Sequence, residues 1–263
     1  MKTDDFLALA GNPEFIEGIY NYCDRWCERC HMTAHCFLFA TYPKDEDDPN
    51  ASDEERWEKT LQHVHESFQI TMELLQRHAE ENGIDLDAPF EGPDPMIAHK
   101  QRREKAKDSP LGVLSKEYLH TSKKWMDESD QYLSEKQNEL VKTELMELPD
   151  REPLQEALDI KDALDIIGWY LFQIHVKLMR AMTSFEEDLE AEVDEIYPKD
   201  SDGSAKVALI GIDRSIGAWG IVLSNLPEQE ERILPMLAVL ERLRRMTEKQ
   251  FPNARSFFRN GLD

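Results

Sequence analysis

Apolar residues recur at alternating spacings of three and four along much of this chain, which predicts amphipathic α-helices. The clearest case lies between Ser52 and Gly83. Ser52 and Glu55 form a capping-box pattern at its start, and Gly83 suits the end of a helix. Its apolar stripe comprises Trp57, Leu61, Val64, Phe68, Thr71, Leu75 and Ala79. We therefore predict one long helix with a single apolar face.

The same periodicity predicts several further helices after this one. The segment 154–182 is the most apolar of them, with large side chains on nearly every side of Trp169, so we expect it to be the central helix of a bundle. Between residues 84 and 108 the periodicity fails and three prolines occur, which predicts a flexible loop. The other predicted helices span 109–146, about 205–224 and about 228–250.

The N-terminal stretch also shows helical spacing. Asn12 and Pro13 provide a cap and a first-turn proline, and apolar or cysteine residues then follow at helical intervals up to Cys30. A short second helix is predicted over 33–41. The chain has only 11 glycines in 263 residues and no strand-like alternation. We predict an all-α fold: a long-helix up-and-down bundle over 51–263, with a Cys-rich helical segment over 1–50 docked on it.

The charge of the chain excludes one class of partner. There are 54 Asp and Glu residues against 31 Lys and Arg, which gives a net charge of -23 and argues against nucleic-acid binding. No apolar run approaches the ~18 residues that a membrane span requires, so no membrane association is predicted. The start of the chain, MKTDDFLALA, has two aspartates where an export signal needs apolar residues, which favours a cytoplasmic protein.

The four cysteines are the strongest chemical signal in the sequence. Cys23, Cys27, Cys30 and Cys36 all lie within fourteen residues, in the pattern C-x3-C-x2-C-x5-C. In a reducing compartment such clustering favours metal or redox chemistry over structural disulfides. On a continuous helix the first three thiols would share one face, and Cys36 could return from the next helix as a fourth ligand. We therefore predict that these four cysteines hold a metal centre.

The choice of metal depends on the helix. On an unbroken helix Cys23 and Cys30 would lie about 10.5 Å apart along the axis, whereas one tetrahedral zinc holds its sulfurs only about 4 Å apart. This difference favours an iron–sulfur cluster with a redox or structural role, served by a redox partner. Structural zinc in a helical module that binds a protein partner is the alternative, and unliganded thiols are a third. His31 and His35 leave a three-Cys, one-His ligand set open.

A polar stripe within the apolar helices is the other candidate site. The charged residues of this stripe, together with His175 and with Asp213, which lies between apolar residues, could form a buried polar network or the site of an enzyme. Lys177 and Arg180 are the expected partners of Asp213, and His175 is expected to be a hydrogen-bonded core histidine. A solvent-facing helix edge is the simpler interpretation of the stripe. The candidate network comprises Asp162, Asp165, His175, Lys177, Arg180 and Asp213.

Overall fold

A computed structural model describes residues 3–42, 52–88, 92, 94–146, 152–190 and 199–263. Over these ranges the fold is all-α, as predicted, with nine α-helices and no strand. The helices are α1 (Thr3–Ala10), α2 (Phe37–Thr41), α3 (Asp53–Asn82), α4 (Pro95–Asp108), α5 (Pro110–Asp127), α6 (Asp130–Leu145), α7 (Pro153–Glu190), α8 (Asp200–Asn225) and α9 (Glu230–Gln250).

Helix α3 has the start and the end that the sequence predicts. The Ser52 side chain accepts a hydrogen bond from the Glu55 N–H, and the Glu55 carboxylate accepts one from the Ser52 N–H at 2.7 Å. At the other end Gly83 takes up a left-handed conformation with φ of 66°. Both cues are local, since they involve residues three apart or a single backbone position, and local cues are readable from sequence.

The prediction of a loop over 84–108 was wrong for its second half, where α4 lies. Pro95 starts this helix, a position that tolerates proline because the N–H is unpaired there in any case. The helix is attached to α7 through charges: Lys105 Nζ lies 3.0 Å from Glu186, and Arg102 lies 3.6 Å from Glu187. Ala106 is the one buried residue of α4, so the helix has no apolar period for a sequence pattern to detect.

The described residues fall into two compact units. Unit 1 comprises residues 1–21, 25–94 and 260–263, and unit 2 comprises 22–24 and 95–259. The predicted domain boundary near residue 50 lies outside the described residues. The four cysteines are divided between the units, with Cys23 in unit 2 and the other three in unit 1.

Unit 2 is a helical bundle built around α7. Helices α5, α7, α8 and α9 form a closed ring in which each packs on two neighbours, and α4 and α6 add to the outside of α7. The ring encloses an aromatic and aliphatic core. Trp125 and Trp219 meet edge to face there, with ring centroids 5.0 Å apart, and the Trp219 indole donates to the Tyr118 hydroxyl at 3.1 Å. The predicted central helix is therefore confirmed as the element that most others contact.

Helix α8 lies against α7 at close range. A Cβ at Gly211 would meet Tyr170 Cδ1 at 2.8 Å and Ile174 Cγ1 at 3.2 Å, so the absence of a side chain permits this approach. Among the described helices α8 is the one with the length and apolar content of a membrane span, and half of that apolar window is buried in the protein. The buried half of that window packs within the bundle of unit 2.

Unit 1 has very little core. Its described residues include four buried ones, Thr3, Ile19, Ile70 and Ala79. A small aromatic cluster, in which Phe37 meets Phe6 at 5.2 Å and Phe15 at 6.0 Å, adds half-buried contacts. Modules with so little buried apolar area need a metal, a cross-link or a partner to be stable. Unit 1 therefore needs a source of stability other than the core of its described residues.

Candidate functional site

The cysteines do not lie on the continuous helix that their spacing predicts. Residues 11–26 form turns, Cys27–Arg29 is a single turn of 3-10 helix, and Thr33–His35 is another. The predicted second helix is present in part, as α2. The prediction that Cys23, Cys27 and Cys30 share one α-helical face was therefore wrong, and the argument for a cluster over zinc that rested on it no longer holds.

Backbone conformation explains why the helix does not form. Gly18 and Arg25 both have left-handed backbones, with φ of 71° and 60°, which end a right-handed helix at each point. The Asp24 carbonyl accepts hydrogen bonds from the Trp169 indole at 3.0 Å and from the Gln173 side chain. That carbonyl is therefore not used in the intrahelical bond that periodicity alone would assign to it.

The four cysteines are free thiols, and two of them accept hydrogen bonds from the backbone. None of the four is disulfide-bonded and all four are half-buried. In unit 1 the Met32 N–H donates to Cys30 Sγ at 3.4 Å, and the Phe39 N–H donates to Cys36 Sγ at 3.5 Å. Two of the four sulfurs therefore each have a backbone donor.

These ligand candidates are not gathered as a finished site. Within the described residues, no three His, Cys, Asp or Glu side chains lie together so that they could hold a metal ion. Cys27 and Cys30 do share one 3-10 turn, closed by the Cys30 N–H bonding to the Cys27 carbonyl at 3.1 Å. Side chains three apart on such a turn point the same way, about 6 Å apart along its axis.

His35 is the better placed of the two nearby histidines. Its Nδ1 lies 3.0 Å from the Glu14 carbonyl, which leaves Nε2 as the second ring nitrogen. Histidines that bind metals commonly donate their other ring N–H to a carbonyl or carboxylate, which fixes the ring and its tautomer. His31 is exposed on the same segment.

The predicted polar network does not form one site. Asp165 pairs with Lys161 on its own helix at 2.7 Å, and Asp162 is exposed, so this end of the stripe is a solvent-facing edge. Lys177 is partly exposed on the same helix. His175 is the hydrogen-bonded histidine that the sequence predicts, with its Nδ1 2.8 Å from Ser115 Oγ, and burial lowers its pKa.

The partners predicted for Asp213 were wrong. Its carboxylate pairs with Arg255 at 2.5 Å and lies 3.8 Å from Arg244, whereas Arg180 pairs with Asp200. Asp213 is about 39% exposed, so this is a surface ion pair. The two arginines come from α9 and from the segment that follows it. The sequence alone did not indicate that these elements lie beside Asp213 on α8.

Sequence reasoning missed a polar cluster around Asp24. Its carboxylate accepts from the Tyr170 hydroxyl and from Arg214 at 2.9 Å, while Arg214 also contacts the Tyr170 hydroxyl. Burial, followed by the hydrogen bond and charge of Asp24, raises the pKa of Tyr170 far above its ordinary value. The tyrosine therefore stays protonated and serves as a donor.

A second missed cluster surrounds Asp200 at the start of α8. Tyr22 donates to its carboxylate at 3.1 Å, Ser184 at 2.7 Å and the Arg180 Nε at 3.2 Å. Burial would raise the pKa of Asp200, but the hydrogen bonds from Arg180 and Ser184 outweigh it and the pKa is lowered. Burial and then the charge of Asp200 raise the pKa of Tyr22 to about 12.

The two clusters anchor the chain at Tyr22 and Asp24 to the bundle. Their tyrosines remain neutral and Asp200 remains charged at neutral pH, so none of these three groups is tuned to exchange protons there. The contacts that Tyr22 and Asp24 make in these clusters join residues more than 140 positions apart in sequence, for example Asp24 and Tyr170. No pattern in the chain could have indicated them.

A groove of about 600 Å³ lies elsewhere in unit 2, between α6 and α7. Its walls are largely apolar, with Leu140, Leu154 and Leu164 among them, and none of the six residues of the predicted polar network lines it. This groove is therefore separate from the residues of the predicted polar network. Comparison of the chain with protein-family models, with curated proteins and with solved structures gives no match.

Proposed function

We propose that the N-terminal cysteine segment is a structural metal site whose ion holds unit 1 together. The observation that carries this proposal is the near absence of a core in unit 1, where the described residues include only four buried ones. A structural zinc site contributes directly to folding free energy and can replace a hydrophobic core in a small module. The ligands would converge as the ion binds.

The ligand set that we propose is Cys27, Cys30 and Cys36 with His35. All four belong to unit 1. Cys27 and Cys30 share a turn whose side chains point the same way, and two of the three sulfurs already accept backbone N–H bonds. The Glu14 carbonyl orients the His35 ring. Three thiolates and one imidazole form one of the usual structural zinc sets.

Zinc is the metal that we propose, because three thiolates and one imidazole form a usual structural zinc set, whereas an iron–sulfur cluster is usually held by four thiolates. The rise from Cys27 to Cys30 along their turn is about 6 Å, so both side chains would have to converge to reach the separation of about 4 Å at which a tetrahedral zinc holds its sulfurs. The iron–sulfur cluster that the sequence favours, held by all four cysteines, is the competing proposal. The two differ in colour, in sulfide content and in their dependence on Cys23.

Metal analysis of the full-length protein, purified anaerobically, tests the proposal. We expect about one equivalent of zinc per chain, a colourless solution, and faster protease cleavage within residues 1–94 after chelation. Broad visible absorption with stoichiometric iron and sulfide would instead support the cluster. Protein that carries no metal and whose cleavage rate is unchanged by added zinc or by chelator would refute both.

Matched variants identify the ligands. Cys27→Ser and His35→Ala should each lose the zinc, whereas His31→Ala, a change at an exposed neighbour, should retain it. Cys23→Ser separates the two ligand sets. Retention of the metal supports the three-Cys, one-His set, and its loss supports the four-thiolate set.

A further inference from the structure

Helix α3 exposes an apolar seam that no described segment covers. The seam consists of Trp57, Leu61, Val64, Phe68, Thr71 and Leu75. Trp57 is 63% exposed and Phe68 is 64% exposed, and Leu61, Val64 and Leu75 are each at least 45% exposed. A monomer rarely leaves so many neighbouring large apolar side chains in water.

The rest of unit 1 leaves this seam open. Helix α1 is attached to α3 through polar contacts: Thr3 donates to Glu73 at 2.5 Å, and Asp4 pairs with Arg77 at 3.0 Å. Neither Glu73 nor Arg77 belongs to the seam. Of the buried residues of α3, Ile70 lies on the opposite side of the helix, and Ala79 continues the line of the seam beyond Leu75, where the helix is covered.

The spacing of the seam identifies what it can pack against. Its residues follow one another at intervals of four, three, four, three and four, which is the 3.5-residue repeat of a two-helix coiled coil. The helix is 30 residues long, enough for four such repeats. A seam with this period fits another α-helix of the same repeat along its whole length.

We propose that the occupant is the α3 helix of a second copy of this chain, packed antiparallel. An antiparallel pairing about the centre of the seam places Trp57 opposite Leu75, Leu61 opposite Thr71 and Val64 opposite Phe68. Large side chains then face smaller ones, whereas a parallel pairing would stack Trp57 on Trp57 and Phe68 on Phe68. Alternation of large and small residues packs a core without voids or overlap.

Charge and area are compatible with a second copy. The chain carries a net charge of -23, yet none of the six seam residues is charged, so two copies can meet there without bringing like charges into the contact. The exposed parts of the six residues add to roughly 600 Å² per copy, so these residues contribute at most about 1,200 Å² to the contact of two copies, which is the lower end of the range for specific interfaces.

Sedimentation equilibrium of the full chain tests this proposal. We expect a mass near twice the 30.6 kDa of one chain at micromolar concentrations, with dissociation on dilution. Phe68→Glu should weaken the dimer by at least about tenfold, because it places a charge at the centre of the seam. Gln69→Glu adds the same charge at the adjacent residue, which is exposed and lies off the seam. This control variant should leave the dimer intact.

Two results would overturn the proposal: a monomer at every concentration, or a dimer that Phe68→Glu leaves unchanged. Helix content by circular dichroism should be equal in both variants, which separates loss of association from loss of folding. Orientation is tested with a photo-cross-linking p-benzoyl-phenylalanine in place of Trp57. Cross-links to the peptide that contains Leu75 support antiparallel packing, and cross-links to the region of residue 57 in the other copy contradict it.

Discussion

Adding one methyl group at Gly211 tests how the polar cluster and the bundle core depend on each other. The new Cβ would lie 2.8 Å from Tyr170 Cδ1, a distance at which one of the two atoms must move. Tyr170 cannot swing away freely, because its hydroxyl is bonded to Asp24 and Arg214. Overpacking of this kind costs about 1–3 kcal/mol.

A second glycine in the same helix isolates that cost. Gly217 is exposed, and a Cβ there would have no neighbour within 4 Å. Replacing glycine by alanine within a helix favours the helix by about 1 kcal/mol in both cases. The difference in unfolding free energy between Gly217→Ala and Gly211→Ala therefore reports the clash alone, and we expect it to be about 1–3 kcal/mol.

Urea denaturation followed by circular dichroism measures this difference. We expect Gly217→Ala to be more stable than the unchanged protein and Gly211→Ala to be less stable than Gly217→Ala by the stated amount. Tyr170→Phe frees the ring from the cluster, so the cost of Gly211→Ala should fall by at least about 0.5 kcal/mol in that background. Equal stability of the two alanine variants would refute the close approach of α7 and α8.

Three further predictions concern single charged or titratable groups. Asp200→Asn should lower the unfolding free energy by about 1–2 kcal/mol at neutral pH. Because the pKa of Asp200 is lowered from 3.8, this difference from the unchanged protein should shrink as the pH falls below that value. Denaturation at pH 7 and at pH 3 measures it. Asp213→Asn should cost less than about 1 kcal/mol, because its pair with Arg255 is exposed, and a larger loss of stability would mean a buried pair after all. Burial lowers the pKa of His175 below 6.5, so protonation of this side chain opposes folding. The unfolding free energy should therefore decline as the pH falls through and below 6.5. His175→Gln, compared with the unchanged protein at pH 8 and pH 5, should remove that part of the decline.

Helices with one clear apolar face are predictable from this sequence, and a helix that buries almost no apolar side chain is not. Helix α3 shows both a capping box and a clear stripe, and α7 shows a dense apolar pattern. Helix α4 has neither: Ala106 is its one buried residue, and Lys105 and Arg102 pair with carboxylates of α7. A search for apolar periods therefore assigns α4 to a loop.

The helix predicted over the cysteine segment is absent for a different reason. Its residues keep helical spacing, but Arg25 has a left-handed backbone and the Asp24 carbonyl bonds to side chains of α7. Periodicity describes which residues could share a face and is silent about distant donors that compete for a backbone carbonyl. The predicted set of cysteines is not gathered as a group in the described residues, and the candidate ligand His35 is singled out only by its contact with the Glu14 carbonyl.

The two proposals for unit 1 answer the same deficit and can be told apart. A metal at the cysteine segment would stabilise the turns around Cys27 and Cys30, whereas packing of α3 on a second copy would bury Trp57 and Phe68. Chelation acts on the first and dilution on the second. If chelation leaves the dimer intact and Phe68→Glu leaves the metal bound, then the metal site and the α3 contact stabilise unit 1 independently of each other. Loss of the metal on dilution would instead mean that α3 packing is what brings the thiols into a state that binds the ion, because binding and folding share one free energy.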